Sequence, residues 1–201
     1  MAQKTEPQED LRVRRTRKML QQAMIELAVE KQGFADITIQ DITERAMVNR
    51  STFYRHYLDK CDLVTQYMED VYALLPEADA ASDPSGKMDS DSPNGLVALL
   101  KHIQNNAAFY RVMLGAKGDP GFTNDFRQQT EKRFRDLMAR YGVNDEAKAL
   151  PTDFRLSYIS HASIGAIIWW LENDQPCSVE QLARWIGQLS ISSAGLRFQY
   201  K

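Results

Sequence analysis

Three residues suited to capping a helix N-terminus, Thr38, Asn49 and Asp59, follow one another so closely that no long helix fits between them. Asp41 stands three residues after Thr38 and Asp62 three after Asp59, where an acidic side chain can reach back to the cap. Ile39, Ile42 and Ala46 then fall at helical spacing, and so do Phe53 and Tyr57. The spacing predicts a helix of about two turns after Thr38, a third helix opening at Asn49 and a fourth opening at Asp59.

The flanking sequence is helical as well. Leu20, Ala23, Met24, Leu27 and Ala28 form one stripe of a first helix, with Gly33 as its expected stop. Leu63, Tyr67, Val71, Leu74 and Leu75 continue the fourth. The stretch Pro76 to Gly95 is rich in Asp, Ser, Ala and Pro, and it reads as a flexible acidic connection marking a boundary. Helical periodicity returns from Leu96, with later helices expected near 109–114, 122–141, 152–172 and 178–196. No strand alternation appears, so the fold class expected is all-α with about nine helices. The organisation expected is a disordered arm over 1–10, a helical domain over 11–58, a connecting helix over 59–75 and a larger helical domain over 96–201.

Charge is distributed unevenly along the chain. The 201 residues carry a formal net charge of −2, too small for indiscriminate coating of nucleic acid. Positive charge nevertheless gathers at Arg12, Arg14, Arg15, Arg17 and Lys18. Two distant cysteines, Cys61 and Cys177, without a CxxC pattern, predict no disulfide framework and no metal site. Cys61, next to Lys60, reads as a plain structural thiol, with a redox-sensitive thiol as the alternative. No Gly-rich phosphate loop, HExxH or GxSxG occurs, and the three histidines are scattered, so neither an enzyme nor a cofactor is expected. No segment reads as a membrane span, and a cytoplasmic protein is expected.

Two short helices over Thr38–Tyr57 have the proportions of a helix-turn-helix, whose second helix lies in the DNA major groove. Thr38 and Asn49 would bring two helix N-termini toward phosphates. Arg50, Ser51 and Thr52 occupy the first turn of the third helix and suit guanine acceptors, mixed base edges and the thymine methyl respectively. Tyr54, Arg55, His56 and Lys60 follow where a duplex backbone would pass, while Phe53 and Tyr57 are expected to pack inward. Arg14 and Arg15, with Arg17 and Lys18, are candidates for a second contact to phosphates or the minor groove. The stretch TIQDITERAMVNRSTFYRHYLDKCDLV closely resembles the DNA-binding signature of the TetR family of bacterial transcription regulators. Met47 stands where that family usually has Gly, Asn49 replaces a Ser cap and Tyr57 a Phe. A side chain at position 47 is penalised if the turn needs positive φ.

The second half is similar to a C-terminal domain of one branch of the same family, through FYRVMLG, GFTNDFRQQTEKRF and YISHASIGAIIWWLENDQP followed by SVEQLARWI. This resemblance implies a homodimer built on the last two long helices, with Ile159, Ala162, Ala166, Trp169, Trp170, Trp185 and Leu189 as interface candidates. Phe109, Tyr110, Phe126, Phe134 and Tyr158 are candidate walls of a pocket for a small-molecule effector, with a packed core as the alternative. The function implied is a regulator, as a repressor, that binds a palindrome in double-stranded DNA and answers to an effector. The alternative is the same DNA-binding fold answering to a protein partner.

Overall fold

A computed structural model describes residues 11–75, 94–140 and 150–193. The expected arm over 1–10, nearly all of the acidic connection and the final residues lie outside the described residues. Those described form nine helices and no strand: α1 (Leu11–Lys31), α2 (Ile39–Arg45), α3 (Arg50–Phe53), α4 (Lys60–Leu74), α5 (Asn94–Asn105), α6 (Ala107–Met113), α7 (Pro120–Arg140), α8 (Thr152–Glu172) and α9 (Val179–Ser193).

The cap chemistry explains where α2 and α4 begin. The Thr38 hydroxyl accepts from the Asp41 amide, and Asp41 accepts the Thr38 amide in return, which satisfies two amides that α2 itself cannot. Asp59 accepts from the Asp62 amide at 2.8 Å and starts α4 the same way. Asn49 stands at the cap position of α3 in an extended conformation, but its side chain makes no capping hydrogen bond. The helix it opens is only four residues long, and Arg55, His56 and Tyr57 continue it as hydrogen-bonded turns.

Three helices run into residues with positive φ, α8 at Asp174 and Gln175 and α2 and α1 in closely similar turns. After α2 the Met47 amide donates to Glu44 and the Val48 amide to Thr43, the paired bonds of a Schellman motif, which puts Met47 at φ 53°. The turn therefore requires the conformation that Gly adopts without cost and Met does not. After α1 the same pair of bonds, Gln32 to Val29 and Gly33 to Ala28, places the positive φ of 51° on Gln32. Gly33, the expected stop, comes one residue after it.

One continuous core runs from the stripe of α1 (Leu20, Met24, Leu27) through Phe53 and Tyr57 of the α3 region to Leu63 and Met68 of α4. It then passes into α5, α6, α7, α8 and α9. The α3 segment thus shares its core with the helical body. The α1 helix packs on α2, α4 and α6, while α7 lies against α8 and α5 against α9.

Several residues expected in a pocket or interface belong to the packed interior. Phe109, Tyr110 and Phe126 are almost fully buried and form edge-on, tilted and stacked ring pairs with one another and with Phe122, with centroids 5.4–6.3 Å apart. They fill the body, and none of them lines the grooves seen among the described residues. Phe134 packs on a smaller cluster of Met138, Leu156 and Ile159, while Tyr158 is exposed on the other side of α8. Ile159 and Trp170 are likewise buried, and the Trp170 indole donates to the Cys177 carbonyl at 2.9 Å. Trp170 belongs to the core, whereas Ile159 also borders a surface groove with Ala162, Ala166 and Leu189. Trp169, Trp185, Leu189 and Ala162 are exposed, and Ala166 is half-buried.

Candidate nucleic-acid interface

The α3 segment divides its side chains by face, as its periodicity requires. Phe53 and Tyr57 are buried, with rings 5.6 Å apart, and fix the segment to the body. Burial pushes the Tyr57 hydroxyl up to about 12. On the opposite face Asn49, Arg50, Ser51, Tyr54 and Arg55 are exposed. Thr52 and His56 are half-buried.

The exposed face is ordered by its own contacts. Arg50 donates to the Tyr54 hydroxyl at 3.2 Å, and its guanidinium lies 5.7 Å from the centre of that ring. Arg55 donates to the Thr52 hydroxyl at 3.0 Å. The Tyr54 ring meets Phe53 edge-on. Both arginines are thereby held along the helix with part of each guanidinium fork still facing outward, the geometry that bidentate recognition of a base edge or phosphate needs.

Lys60 is engaged elsewhere. Its ammonium donates to the carbonyls of Phe34, Ala35 and Ile37 at 3.0, 2.7 and 2.8 Å and lies 4.7 Å from the centre of the Phe34 ring. An ammonium has three N–H donors, and three carbonyls use them all. The expected phosphate contact is replaced by a structural one: Lys60 ties the α1–α2 loop to the start of α4. The loop's convergent carbonyls, which no periodicity in the sequence announces, create this site. Thr38 is also committed, because its hydroxyl donates to Asp41 at 2.8 Å while capping α2. Asp41 is held at about 2 by the Lys31 ammonium, 2.8 Å away, and by the Thr38 amide and hydroxyl.

Arg14, Arg15 and Lys18 are exposed on the first half of α1 and have no carboxylate partner among the described residues. They border an open groove of about 510 Å³ whose far wall is Ala46 and Met47, in the turn that precedes α3. The fold thus brings the basic run of α1 up to the helix-turn-helix. Arg17, in contrast, donates to Gln66 of α4. Arg45 at the end of the groove is neutralised by Glu26 and Glu30. Cys61 is exposed, but partial burial together with Asp119 and Asp59 raises its thiol pKa in spite of Lys60, which disfavours the thiolate that a redox-sensitive cysteine needs. No metal-holding cluster occurs among the described residues, and no described helix is long and apolar enough to cross a membrane.

Comparison with known proteins agrees with this geometry. Residues 26–67 match the family model described as bacterial regulatory proteins, tetR family, and residues 90–192 match that of a transcriptional regulator C-terminal region. The chain is 29% identical over 180 residues to an HTH-type transcriptional regulator, YxbF, of Bacillus subtilis strain 168. That alignment covers 89% of this chain but 45% of the relative, so the chain spans under half of that protein's length. Among solved structures, a TetR transcriptional regulator from Streptococcus agalactiae 2603V superposes with a TM-score of 0.65 at 27% identity, covering 90% of this chain and 96% of that one. The dihydroxyacetone kinase operon activator DhaS shares the fold, with a TM-score of 0.62 at 21% identity over 90% and 97% of the two chains.

Proposed function

This chain belongs to the TetR family of bacterial regulatory proteins, and we propose that it is a cytoplasmic, homodimeric repressor that binds a palindrome in double-stranded DNA and is modulated by a small-molecule effector. The observation that carries the DNA-binding part is the outward rank of Asn49, Arg50, Ser51, Tyr54 and Arg55 on a segment anchored by buried Phe53 and Tyr57. Arg50 and Ser51 read base edges, with Thr52 beside them. Tyr54, Arg55 and His56 meet the backbone. Arg14, Arg15 and Lys18 supply a second electrostatic contact from α1.

Self-association is supported by what α8 and α9 leave in water. Tyr158, Trp169, Trp185 and Leu189 are 58%, 46%, 42% and 69% exposed, and they lie on two neighbouring helices. Apolar side chains gathered in this way mark an interface more often than a bare surface. Two copies joined there carry two α3 segments, which match half-sites one helical turn apart, about 34 Å, or a multiple of it.

The test is selection of bound duplexes from random DNA, followed by footprinting on the selected sequence. A protected inverted repeat with half-sites in register with the helical turn is expected. Recovery of sequences without dyad symmetry, or no enrichment at all, overturns the reading.

A further inference from the structure

An outward groove of about 560 Å³ opens between the α6–α7 loop, the first turns of α7 and the middle of α8. That volume lies in the range of small-molecule sites. Its apolar side is Ile164, Ile168 and the open flank of Gly165, where an added Cβ would meet nothing within 4 Å. Its polar side is Thr123, Asn124 and Arg127 of α7, faced by His161 of α8.

The cation lining this groove is already matched. Arg127 donates to Glu131 at 2.7 Å and to Asn124 at 3.1 Å, and Asp119 accepts the Phe122 amide at 2.9 Å. An anionic ligand would lose hydration there without gaining an uncompensated cation. Hydrogen-bonding capacity is different. The His161 Nδ1 lies 2.7 Å from the Ser157 carbonyl and donates to it, so the ring's Nε2 remains as an acceptor, with the Thr123 hydroxyl also lining the groove.

One wall of the groove touches the DNA-binding part. Gly115, Ala116, Gly118 and Asp119 line the groove, and the carbonyl of Lys117, between them, accepts the Phe34 amide at 3.3 Å. Phe34 in turn is one of the carbonyls held by Lys60, just ahead of the Thr38 cap of α2. The loop has little freedom to move independently, because a Cβ on Gly118 would stand 2.0 Å from the Met113 carbonyl. A ligand that displaces this loop therefore acts on the joint that sets the angle of α2 and α3.

We propose that this groove is the effector site of the protein and takes a small neutral molecule, such as a phenol or alcohol, with its apolar face on Ile164 and Ile168 and its hydroxyl donating to His161. The site rests on the reading of the protein as an effector-modulated DNA-binding regulator and names the place and class of that effector. Phenol is the probe, with toluene lacking the hydroxyl and benzoate carrying a charge. In amide-resolved NMR titrations of the full chain, phenol shifts the signals of Thr123, Asn124 and Gly165 and saturates with a Kd of about 1 mM, reasonable for so small a ligand. Gly165→Trp fills the groove, and His161→Ala removes the acceptor. Each weakens phenol binding by about tenfold or more with the melting temperature retained, and toluene and benzoate bind at least about tenfold more weakly than phenol to the wild type. Shifts centred elsewhere, equal binding of the three probes, or undiminished binding in both variants overturn the site. Binding that leaves affinity for the selected duplex unchanged overturns the route through Lys117 and Phe34. A failure to bind any duplex, with the titrations as expected, refutes the DNA-regulator reading while the groove stands.

Discussion

Replacing Met47 by glycine should stabilise the protein. The residue sits at φ 53° because the two bonds of the Schellman motif, Met47 to Glu44 and Val48 to Thr43, close only with that residue left-handed. An L-residue with a Cβ is penalised there by about 1–2 kcal/mol, and glycine is not. Glycine brings its own cost, a looser unfolded chain, of about 0.5–1 kcal/mol. The side chain itself contributes little burial, being 85% exposed. The net gain is therefore about 0.5–1 kcal/mol, or a rise in melting temperature of roughly 1–4 °C for a chain of this size. Met47→Ala is the decisive control, since alanine keeps the Cβ and with it the strain. Thermal and urea unfolding followed by circular dichroism on wild type, Met47→Gly and Met47→Ala give the comparison. If alanine gains as much as glycine, the gain comes from losing the methionine side chain and the backbone argument fails. If glycine destabilises, the turn is not strained at this residue.

Five further outcomes follow from the same geometry. Lys60→Ala leaves three carbonyls without their ammonium partner and should cost about 1–3 kcal/mol in urea unfolding, while the salt dependence of duplex binding keeps its slope; Arg15→Ala should lower that slope by about one and leave stability nearly unchanged. Trp170→Ala, deep in the core, should cost about 3–5 kcal/mol in the same unfolding assay. Leu189→Asp, on the exposed face of α9, should instead shift sedimentation toward the monomer with the helical content kept. Because Asp41 is held at about 2, against an ordinary value of 3.8, its contribution is fully present above about pH 4 and is lost as pH falls toward 2. Asp41→Asn should flatten the acid limb of stability measured across that window, and an unchanged limb would remove the Lys31–Asp41–Thr38 cluster from the account.

How much of the molecule was readable in advance depended on the range of the forces involved. Caps, helix periods and the two faces of the α3 segment are set by residues within a turn or two of each other. Thr38 with Asp41, Asp59 with Asp62, and Phe53 with Tyr57 could therefore be read from spacing alone. The strain at Met47 was legible for the same reason, as a side chain in a turn whose geometry favours glycine. The α8 helix shows where this stops. Tyr158, Ile159, Trp169 and Trp170 are neighbours in sequence and alike in chemistry, and nothing local says that Ile159 and Trp170 face the body while Tyr158 and Trp169 face water. Apolar residues around the whole helix leave its rotation undetermined until α7 and α9 pack against it.

The sequence by itself determined an all-helical chain with a helix-turn-helix near its N-terminus, because backbone hydrogen bonding and capping are local. Tertiary structure alone decided three other things. It gathered Phe109, Tyr110, Phe122 and Phe126 into a filled core, since close packing leaves no space among rings that meet edge to face. It committed Lys60 to the backbone, since the carbonyls of Phe34, Ala35 and Ile37 converge only when the α1–α2 loop folds over the start of α4. It also opened a groove beside Gly165, because a glycine on an exposed helix face leaves room that neighbouring elements can enclose without filling.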